Sequence, residues 1–298
     1  MSNTRKAHAA VLATNILFAS NYSIIKFITP SVVKPFGLNV VRVLGCIVLF
    51  WAMYLFKSSI ATIQKKHIPR FILCAATGIA INQTFFIKGL SLTMPIHASL
   101  LMLACPIFIT FIAAWLLKEV ITFKKILGLI IGIAGSVILI SIKENSSGGS
   151  DILLGDLMIL VNAVSYGFYM VIVRPLMEAY SPIHVMRWVF TLGTIMILPF
   201  GWQQFIEVDW PALHPQEVAA IIYIVIGGTF LAYFLNIYGI NHLGASATGA
   251  YIYTQPVFAA IIAVVFLGEH FSWQKGIAAL LIFTGVFLVN MKRREDEV

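Results

Sequence analysis

PIFITFIAAWLLKEVITFKKILGLIIGIAG, residues 106–135, and PVFAAIIAVVFLGEHFSWQKGIAALLIFTG, residues 256–285, are two copies of one pattern. Each opens on a proline, runs apolar to Leu117-Lys118-Glu119 or Leu267-Gly268-Glu269, and resumes as a second apolar run ending on Gly135 or Gly285. Sliding the chain by 150 residues also sets Gly78 over Gly228, Gly89 over Gly239, Lys125 over Lys275 and Thr122 over Ser272. Near the front the better offset is 148, with Phe18-Ala19 over Tyr166-Gly167 and Lys26 over Arg174. A slip of two residues is what one loop accommodates. Repetition at a fixed spacing marks a duplicated unit, residues 1–145 and 146–298.

The composition around these copies excludes a soluble protein. Of 298 residues 60% are hydrophobic and 11% charged, whereas a soluble domain is near half apolar and a quarter charged. Such a chain lacks the polar shell that would cover its core. Its apolar blocks are about 20 residues long, the length that crosses a bilayer as a helix. Reading between Pro, Gly and charge clusters predicts ten spans, near 8–28, 36–56, 71–90, 95–117, 124–142, 153–173, 183–203, 218–238, 246–267 and 274–291. The expected fold is therefore an all-α polytopic membrane protein of ten transmembrane helices, with no connection long enough for a soluble domain. Five spans per unit is an odd number, so the second copy enters the membrane from the opposite side. Two inverted five-helix repeats with a site at their interface near the midplane form a recurrent transporter plan.

Charge sets the orientation. Arg5, Lys6, Lys57, Lys65, Lys66, Arg70, Lys118, Lys124, Lys125, Arg174, Arg187 and Lys292–Arg294 fall on the side of the termini, against Lys26, Lys34, Lys88, Lys143 and Lys275 on the other. That asymmetry predicts cytoplasmic termini. The expected location is the cell's inner (plasma) membrane, multi-pass. The net charge of +8 is then an orientation signal, and no nucleic-acid partner is expected. The first apolar run contains Asn15 and Asn21 and no small-residue cleavage site, so it reads as a retained span and not as a cleaved leader. Cys46, Cys74 and Cys105 each fall within apolar blocks and read as small buried residues, without disulfide or metal-ligand spacing.

The pairs Pro106…Leu117-Lys118-Glu119…Gly128…Gly135 and Pro256…Leu267-Gly268-Glu269…Gly276…Gly285 resemble the two copies of the EamA-type unit of the drug/metabolite transporter superfamily. Asn15–Lys26 and Asn162–Arg174 resemble that unit's first span. The resemblance covers essentially the whole chain and implies export or uptake of small metabolites, often amino acids or drugs. One departure is that the unit often has Trp-Gly or Trp-Ala where Phe18-Ala19 and Tyr166-Gly167 stand.

Polar groups in hydrocarbon need partners or a water-filled cavity. Helical spacing groups Asn162, Tyr166 and Tyr169 on one face of the sixth span, and Thr229, Tyr233 and Asn236 on one face of the eighth. Tyr251, Thr254 and Gln255 form a face of the ninth. The offsets carry these faces to Thr14, Phe18 and Asn21, to Ile79, Gln83 and Phe86, and to Leu101, Ala104 and Cys105. Both halves thus present polar or aromatic faces, expected to line one pathway for a small-molecule substrate. The alternative is that they are interhelical hydrogen bonds that hold the bundle together. Pro106 and Pro256 each lack an N–H and free the carbonyls of Met102 and Ile252, which predicts paired hinges or static kinks. Gly128 and Gly132 have the spacing of close helix contact.

All twelve acids are expected in loops, at span ends or in the tail, Asp156 and Glu207 among them, together with Glu119, Glu144, Glu269 and Glu295–Glu297. That placement disfavours carboxylate-based proton coupling and favours facilitated diffusion or exchange. Lys26, Arg42, Lys88 and His97 lie toward the outer ends of the first four spans and would form an electropositive vestibule, unless they snorkel to headgroups or, for His97, serve the structure. Arg42, two turns into its span, is the best candidate for an anionic-substrate handle. No HExxH pair, paired aspartates or G-x-S-x-G elbow is present, so no enzyme, cofactor or metal site is expected. A channel, a lipid flippase or a membrane enzyme remain rival readings, and the expected partners are substrate, the lipid bilayer and at most a weak homodimer.

Overall fold

The computed structural model describes residues 3–56, 63–117, 123–141, 151–268 and 272–290. Lys57, Lys118, Glu119, Thr122, Lys143, Glu144, Glu269 and the tail Lys292–Glu297 lie outside them. Every regular element among the described residues is helical. The first half contains α1 (Asn3–Ile28), α2 (Pro35–Phe56), α3 (Ile68–Ala75), α4 (Asn82–Leu92), α5 (Pro95–Leu101), α6 (Cys105–Leu117) and α7 (Phe123–Ser141). The second contains α8 (Ile152–Ile172), α9 (Arg174–Ala179), α10 (Pro182–Ile206), α11 (Pro215–Val225), α12 (Ala232–Ala250), α13 (Gln255–Leu267) and α14 (Trp273–Asn290).

Six helical stretches are long and apolar enough to cross a bilayer: Thr4–Ile28, Pro35–Met53, Lys65–Leu92, Ile152–Ala179, Pro182–Ile206 and Pro215–Gly239. They cover six of the ten predicted spans. The other four predicted spans fall on shorter helices. Two of those are interrupted, by a 3-10 turn at Met102–Ala104 before α6 and another at Tyr251–Thr254 before α13. Two are α7 and α14, of 19 and 18 residues. The outward surface is apolar, with Phe123 77% and Phe266 76% exposed. An aqueous surface would not leave such rings bare, but a lipid-facing one does.

Two helices wind wider midway. Ala76–Ile81 joins α3 to α4 as a π-helix, and Ile226–Leu231 joins α11 to α12 in the same way, 150 residues later. Such bulges insert a residue into the helical ladder and recur at functional sites. Both carry a glycine at a close approach. A Cβ on Gly78 would lie 2.7 Å from Cγ of Tyr169, and one on Gly228 would lie 2.5 Å from Cγ of Asn21.

Packing partners exchange under the sequence offset. The offset turns α1 into α8, α2 into α10, α4 into α12, α6 into α13 and α7 into α14. Correspondingly, α1 packs on α12 and α13 while α8 packs on α4 and α6; α2 packs on α10, and α7 on α14. Hydrogen bonds follow the same exchange. Thr14 Oγ1 donates to the Ala232 carbonyl (3.4 Å), and its counterpart Asn162 donates through Nδ2 to the Asn82 carbonyl (2.8 Å). The α7–α14 contact is closed by glycine, as the spacing of Gly128 and Gly132 predicts: a Cβ on Gly285 would lie 2.5 Å from the Gly132 nitrogen. Helix ends are capped from neighbours as well as locally. Gln204 Oε1 at the end of α10 accepts from Phe36 N (2.9 Å) and Gly37 N (3.2 Å), satisfying donors of the first turn of α2.

Candidate functional site

Where α1, α2, α4, α8, α12 and α13 converge lies a cavity of about 90 Å³, room for several waters or a small solute group. One face of α1 supplies Thr14, Asn15, Phe18, Asn21 and Tyr22, positions that share a side at helical spacing. Arg42 comes from α2, and Asn82, Gln83 and Phe86 come from the turn after the first π segment. The second half adds Asn162, Tyr166 and Met170 of α8, Tyr233, Asn236 and Thr248 of α12, and Gln255 of α13. Met102 and Ile252, one in each 3-10 turn, complete the wall. These are the residues four before the paired prolines; contrary to the sequence expectation, the Met102 carbonyl is not free but accepts from Cys105 N and closes its 3-10 turn. Pro106 and Pro256 themselves stand in the first turns of α6 and α13, just beyond those turns.

Eleven of the sequence-predicted residues therefore meet at one cavity: Thr14, Phe18, Asn21, Arg42, Gln83, Phe86, Asn162, Tyr166, Tyr233, Asn236 and Gln255. The same faces also offered Thr229, Thr254, Ile79, Leu101, Ala104 and Cys105, which are not on its wall, and three further candidates are engaged elsewhere. Tyr169 turns away, with its ring against Gly78 and its hydroxyl donating to Met186 Sδ (3.4 Å). The Tyr251 hydroxyl pairs with His8 Nδ1 at 2.8 Å. His97 is fully buried on Asp156, with Nδ1 2.9 Å from Oδ2. Asn15, Tyr22, Asn82, Met170 and Thr248 are additions. Tyr22 extends the α1 face by one turn and was readable by continuing that spacing; Asn82 and Thr248 carry no periodic signal of their own.

The expected vestibule needs correction. Lys26 Nζ donates to the carbonyls of Leu90 (3.4 Å), Ser91 (3.1 Å) and Thr93 (2.6 Å), so its charge sits on the C-terminal end of α4, where a helix dipole favours a cation. His97 is held by Asp156. Of the proposed vestibule cations, only Arg42 reaches the cavity wall. Asp156 does stand near the end of a span, but it is fully buried and also accepts a short hydrogen bond from Thr93 Oγ1.

The polar atoms of the cavity divide into two sets. Some are satisfied by protein. Gln255 Nε2 donates to Asn15 Oδ1 (2.7 Å), and Tyr22 donates to Gln255 Oε1 (3.3 Å), tying α13 to α1. A second set, although buried, makes no hydrogen bond of standard geometry with the protein: Asn21 Oδ1, Asn162 Oδ1, Thr248 Oγ1, both amide atoms of Gln83 and Nη1 of Arg42. Gln83 lies beside the Tyr233 hydroxyl without a hydrogen bond of standard geometry. A buried polar atom left without a partner costs about 1–3 kcal/mol, a cost that a polar solute able to pair with these atoms would relieve. Aromatic rings share the rest of the wall with Met102, Met170 and Ile252, with Phe18 edge-on to Tyr233 (6.0 Å between centroids) and Tyr22 edge-on to Phe86 (5.4 Å). Among the described residues no group of three or more His, Cys, Asp or Glu converges as metal ligands, and Cys46, Cys74 and Cys105 are buried and unpaired.

Comparison with known proteins agrees with this architecture. A protein named an "uncharacterized transporter" from Archaeoglobus fulgidus is 25% identical over 97% of this chain and 99% of its own length. A WAT1-related protein of Arabidopsis thaliana is 25% identical over 96% of this chain and 85% of its own. A protein of Streptantibioticus cattleyicolor named a "probable terminal-alkyne amino-acid exporter" is 24% identical over 77% of this chain and 75% of its own. One solved crystal structure superposes with a TM-score of 0.61 at 20% identity, covering 97% of this chain and 96% of that one, which speaks to the fold alone. The family model for EamA-like transporters matches twice, over residues 5–141 and 153–291, and with it this multi-pass membrane protein belongs to the EamA-like transporter family.

Proposed function

We propose that the chain is a secondary transporter that exports small amphipathic metabolites, amino acids or related aromatic compounds, by alternating access about the central cavity. In this reading it crosses the inner (plasma) membrane ten times as two inverted five-helix repeats, 1–145 and 146–298, with both termini cytoplasmic. One observation carries the reading: side chains from both halves converge on one cavity, and several buried polar atoms of its lining residues make no hydrogen bond of standard geometry with the protein. A bundle that used its polar residues only to hold itself together would satisfy them.

Further support comes from the exchange of packing partners, which two related halves rocking about one site would share. The double family match and the exporter named among the relatives point the same way. The chain's residues bind and orient the solute; no covalent step is required of them. Coupling by facilitated diffusion or exchange fits Asp156, which is committed to His97 and Thr93 and not to the cavity.

The test is a counterflow screen of the full chain in proteoliposomes with amino acids, nucleosides and small organic ions. Saturable, stereoselective counterflow is expected. Non-saturable flux would indicate a channel, and product formation in detergent would indicate an enzyme; either overturns the reading.

A further inference from the structure

Arg42 is 3% exposed, two turns into α2 and on the cavity wall. Its Nε donates to Thr229 Oγ1 at 2.9 Å. The Thr229 hydroxyl, in the π segment, donates its own proton to the Ile224 carbonyl of α11 at 2.7 Å, five residues back, so its oxygen faces the guanidinium purely as an acceptor. A neutral hydroxyl holds the guanidinium in place without neutralising it. Nη1 makes no hydrogen bond of standard geometry with the protein. The acid–base contacts given among the described residues are the Lys34–Glu207 salt bridge and the His97–Asp156 contact, an ion pair only when His97 is protonated, and neither involves Arg42.

A buried cation with no counter-charge is costly in a membrane interior, and such residues mark substrate pathways. A guanidinium anchored at Nε offers its planar fork to a carboxylate, which it can bind through two parallel hydrogen bonds. On the same cavity wall stand the amide of Gln83 and the acceptor oxygens of Asn21 and Asn162, whose Nδ2 atoms already donate to the Gly228 and Asn82 carbonyls; those oxygens suit donor groups on the same solute. The rings of Phe18, Phe86 and Tyr233 offer an apolar wall for the remainder.

Resting on the transport reading above, we infer that the substrate carries a carboxylate that pairs with Arg42, on a small aromatic or apolar body. Zwitterionic amino acids and simple aryl acids fall in this class. A solute that bears only an ammonium group does not, because it would meet Arg42 in low dielectric with no compensating anion.

Three probes with one aromatic body separate the charges: 3-phenylpropionate, L-phenylalanine and phenethylamine. Binding to the purified full chain is read as the shift in thermal unfolding midpoint against concentration. Both carboxylates are expected to bind, with phenethylamine at least about 30-fold weaker, the scale of an unpaired buried charge. R42Q should abolish the preference by a similar factor, and R42K, which keeps the charge without the fork, should retain part of it. Equal or tighter binding of phenethylamine to the native chain, binding of neither carboxylate, or an unchanged preference in R42Q overturns the inference. If R42Q fails to fold, R42K and the three-probe comparison on the native chain still decide it. Counterflow of other solutes that persists without any carboxylate preference would sink the Arg42 assignment and leave the transport reading standing. Carboxylate binding lost in R42Q, with no saturable flux of any solute, would do the reverse.

Discussion

His97 Nδ1 on α5 lies 2.9 Å from Asp156 Oδ2 on α8, and both side chains are fully buried. Thr93 Oγ1 donates to the other carboxylate oxygen, and the Thr93 carbonyl in turn accepts from Lys26 on α1. One cluster thus cinches α1, the end of α4, α5 and α8. Removing one member of a buried pair costs about 3–5 kcal/mol because the other is left uncompensated. Asp156→Ala is expected to cut folded yield and lower the melting temperature sharply. Asp156→Asn keeps an acceptor for Thr93 and should cost clearly less. An Asp156→Ala protein that melts like the native one would show that the cluster does not hold these helices.

Two glutamines on the cavity wall separate structural from functional polarity. Gln255 bonds Asn15 and Tyr22, so Gln255→Ala orphans a buried acceptor and a hydroxyl and is expected to cost about 1–3 kcal/mol of stability. Gln83 makes no hydrogen bond of standard geometry with the protein. Gln83→Ala should leave folded yield near native while lowering transport per folded molecule roughly tenfold, the worth of one hydrogen bond to solute. Reversed outcomes for the two residues would refute this division.

Much of this arrangement was legible in the chain because a bilayer converts burial into simple rules. Apolar blocks located the six long helices, and paired residues such as Gly78/Gly228 and Pro106/Pro256 anticipated two matches to one family model. Period-3.6 spacing and the offset between the copies told which polar and aromatic residues face inward, and so found ten of the eleven cavity residues; Arg42 was found by its depth within a span. Spacing could not tell which inward residues are already engaged. His97 is claimed by Asp156, 59 residues away, and Tyr251 by His8, 243 residues away. Those partners are set by tertiary packing, to which a local pattern is blind. The π segments escaped notice for a related reason: Ala76–Ile81 has an ordinary helical composition, and its widening is seen only in the hydrogen-bond ladder.

Glycine contributes in two different ways that one experiment can separate. At Gly285 a Cβ would meet the backbone of Gly132, 2.5 Å from its nitrogen and 2.8 Å from its Cα, so α7 and α14 must part to admit it. At Gly268, which ends α13 with φ +66°, a Cβ meets nothing, and only the left-handed backbone resists it. Gly285→Ala is expected to cost about 1–3 kcal/mol, as overpacking does. Gly268→Ala should cost about 1 kcal/mol. Thermal unfolding of the two variants in one detergent checks the order; equal or inverted losses would contradict the close contact.

Outside the spans, Lys34 Nζ sits 2.7 Å from Glu207 Oε2 and links the α1–α2 connection to the end of α10. The hydrogen bond from Lys34, and then that from Gln203, hold the Glu207 carboxyl below its ordinary titration range. With the folded value below the unfolded one, the contribution is complete above the unfolded value and is lost as pH falls through the folded one. Both partners are exposed, so the effect is small and screened by salt. A small deficit of Glu207→Gln in melting temperature is expected at neutral pH and low salt, shrinking toward about pH 3 or about 0.5 M salt. A deficit that grew on acidification would contradict the pairing.

Pro256 stands at the head of α13, directly after the 3-10 turn Tyr251–Thr254, and so avoids the clash that a proline suffers within a helix. Its missing N–H is what would otherwise reach the carbonyl of Ile252, a residue of the cavity wall. Pro256→Ala restores that donor and lets the α-helix run back through the turn. If the break serves as a hinge, the substitution should keep or raise thermal stability, by about 1 kcal/mol for one regained hydrogen bond, while slowing counterflow severalfold. If the break is a static kink that favours close packing, stability should fall and flux per folded molecule should stay. Pro106→Ala, at the matching position before α6, should behave in the same way if the two halves move as counterparts. A slowed Pro256→Ala beside an unaffected Pro106→Ala would mean that only the second half bends.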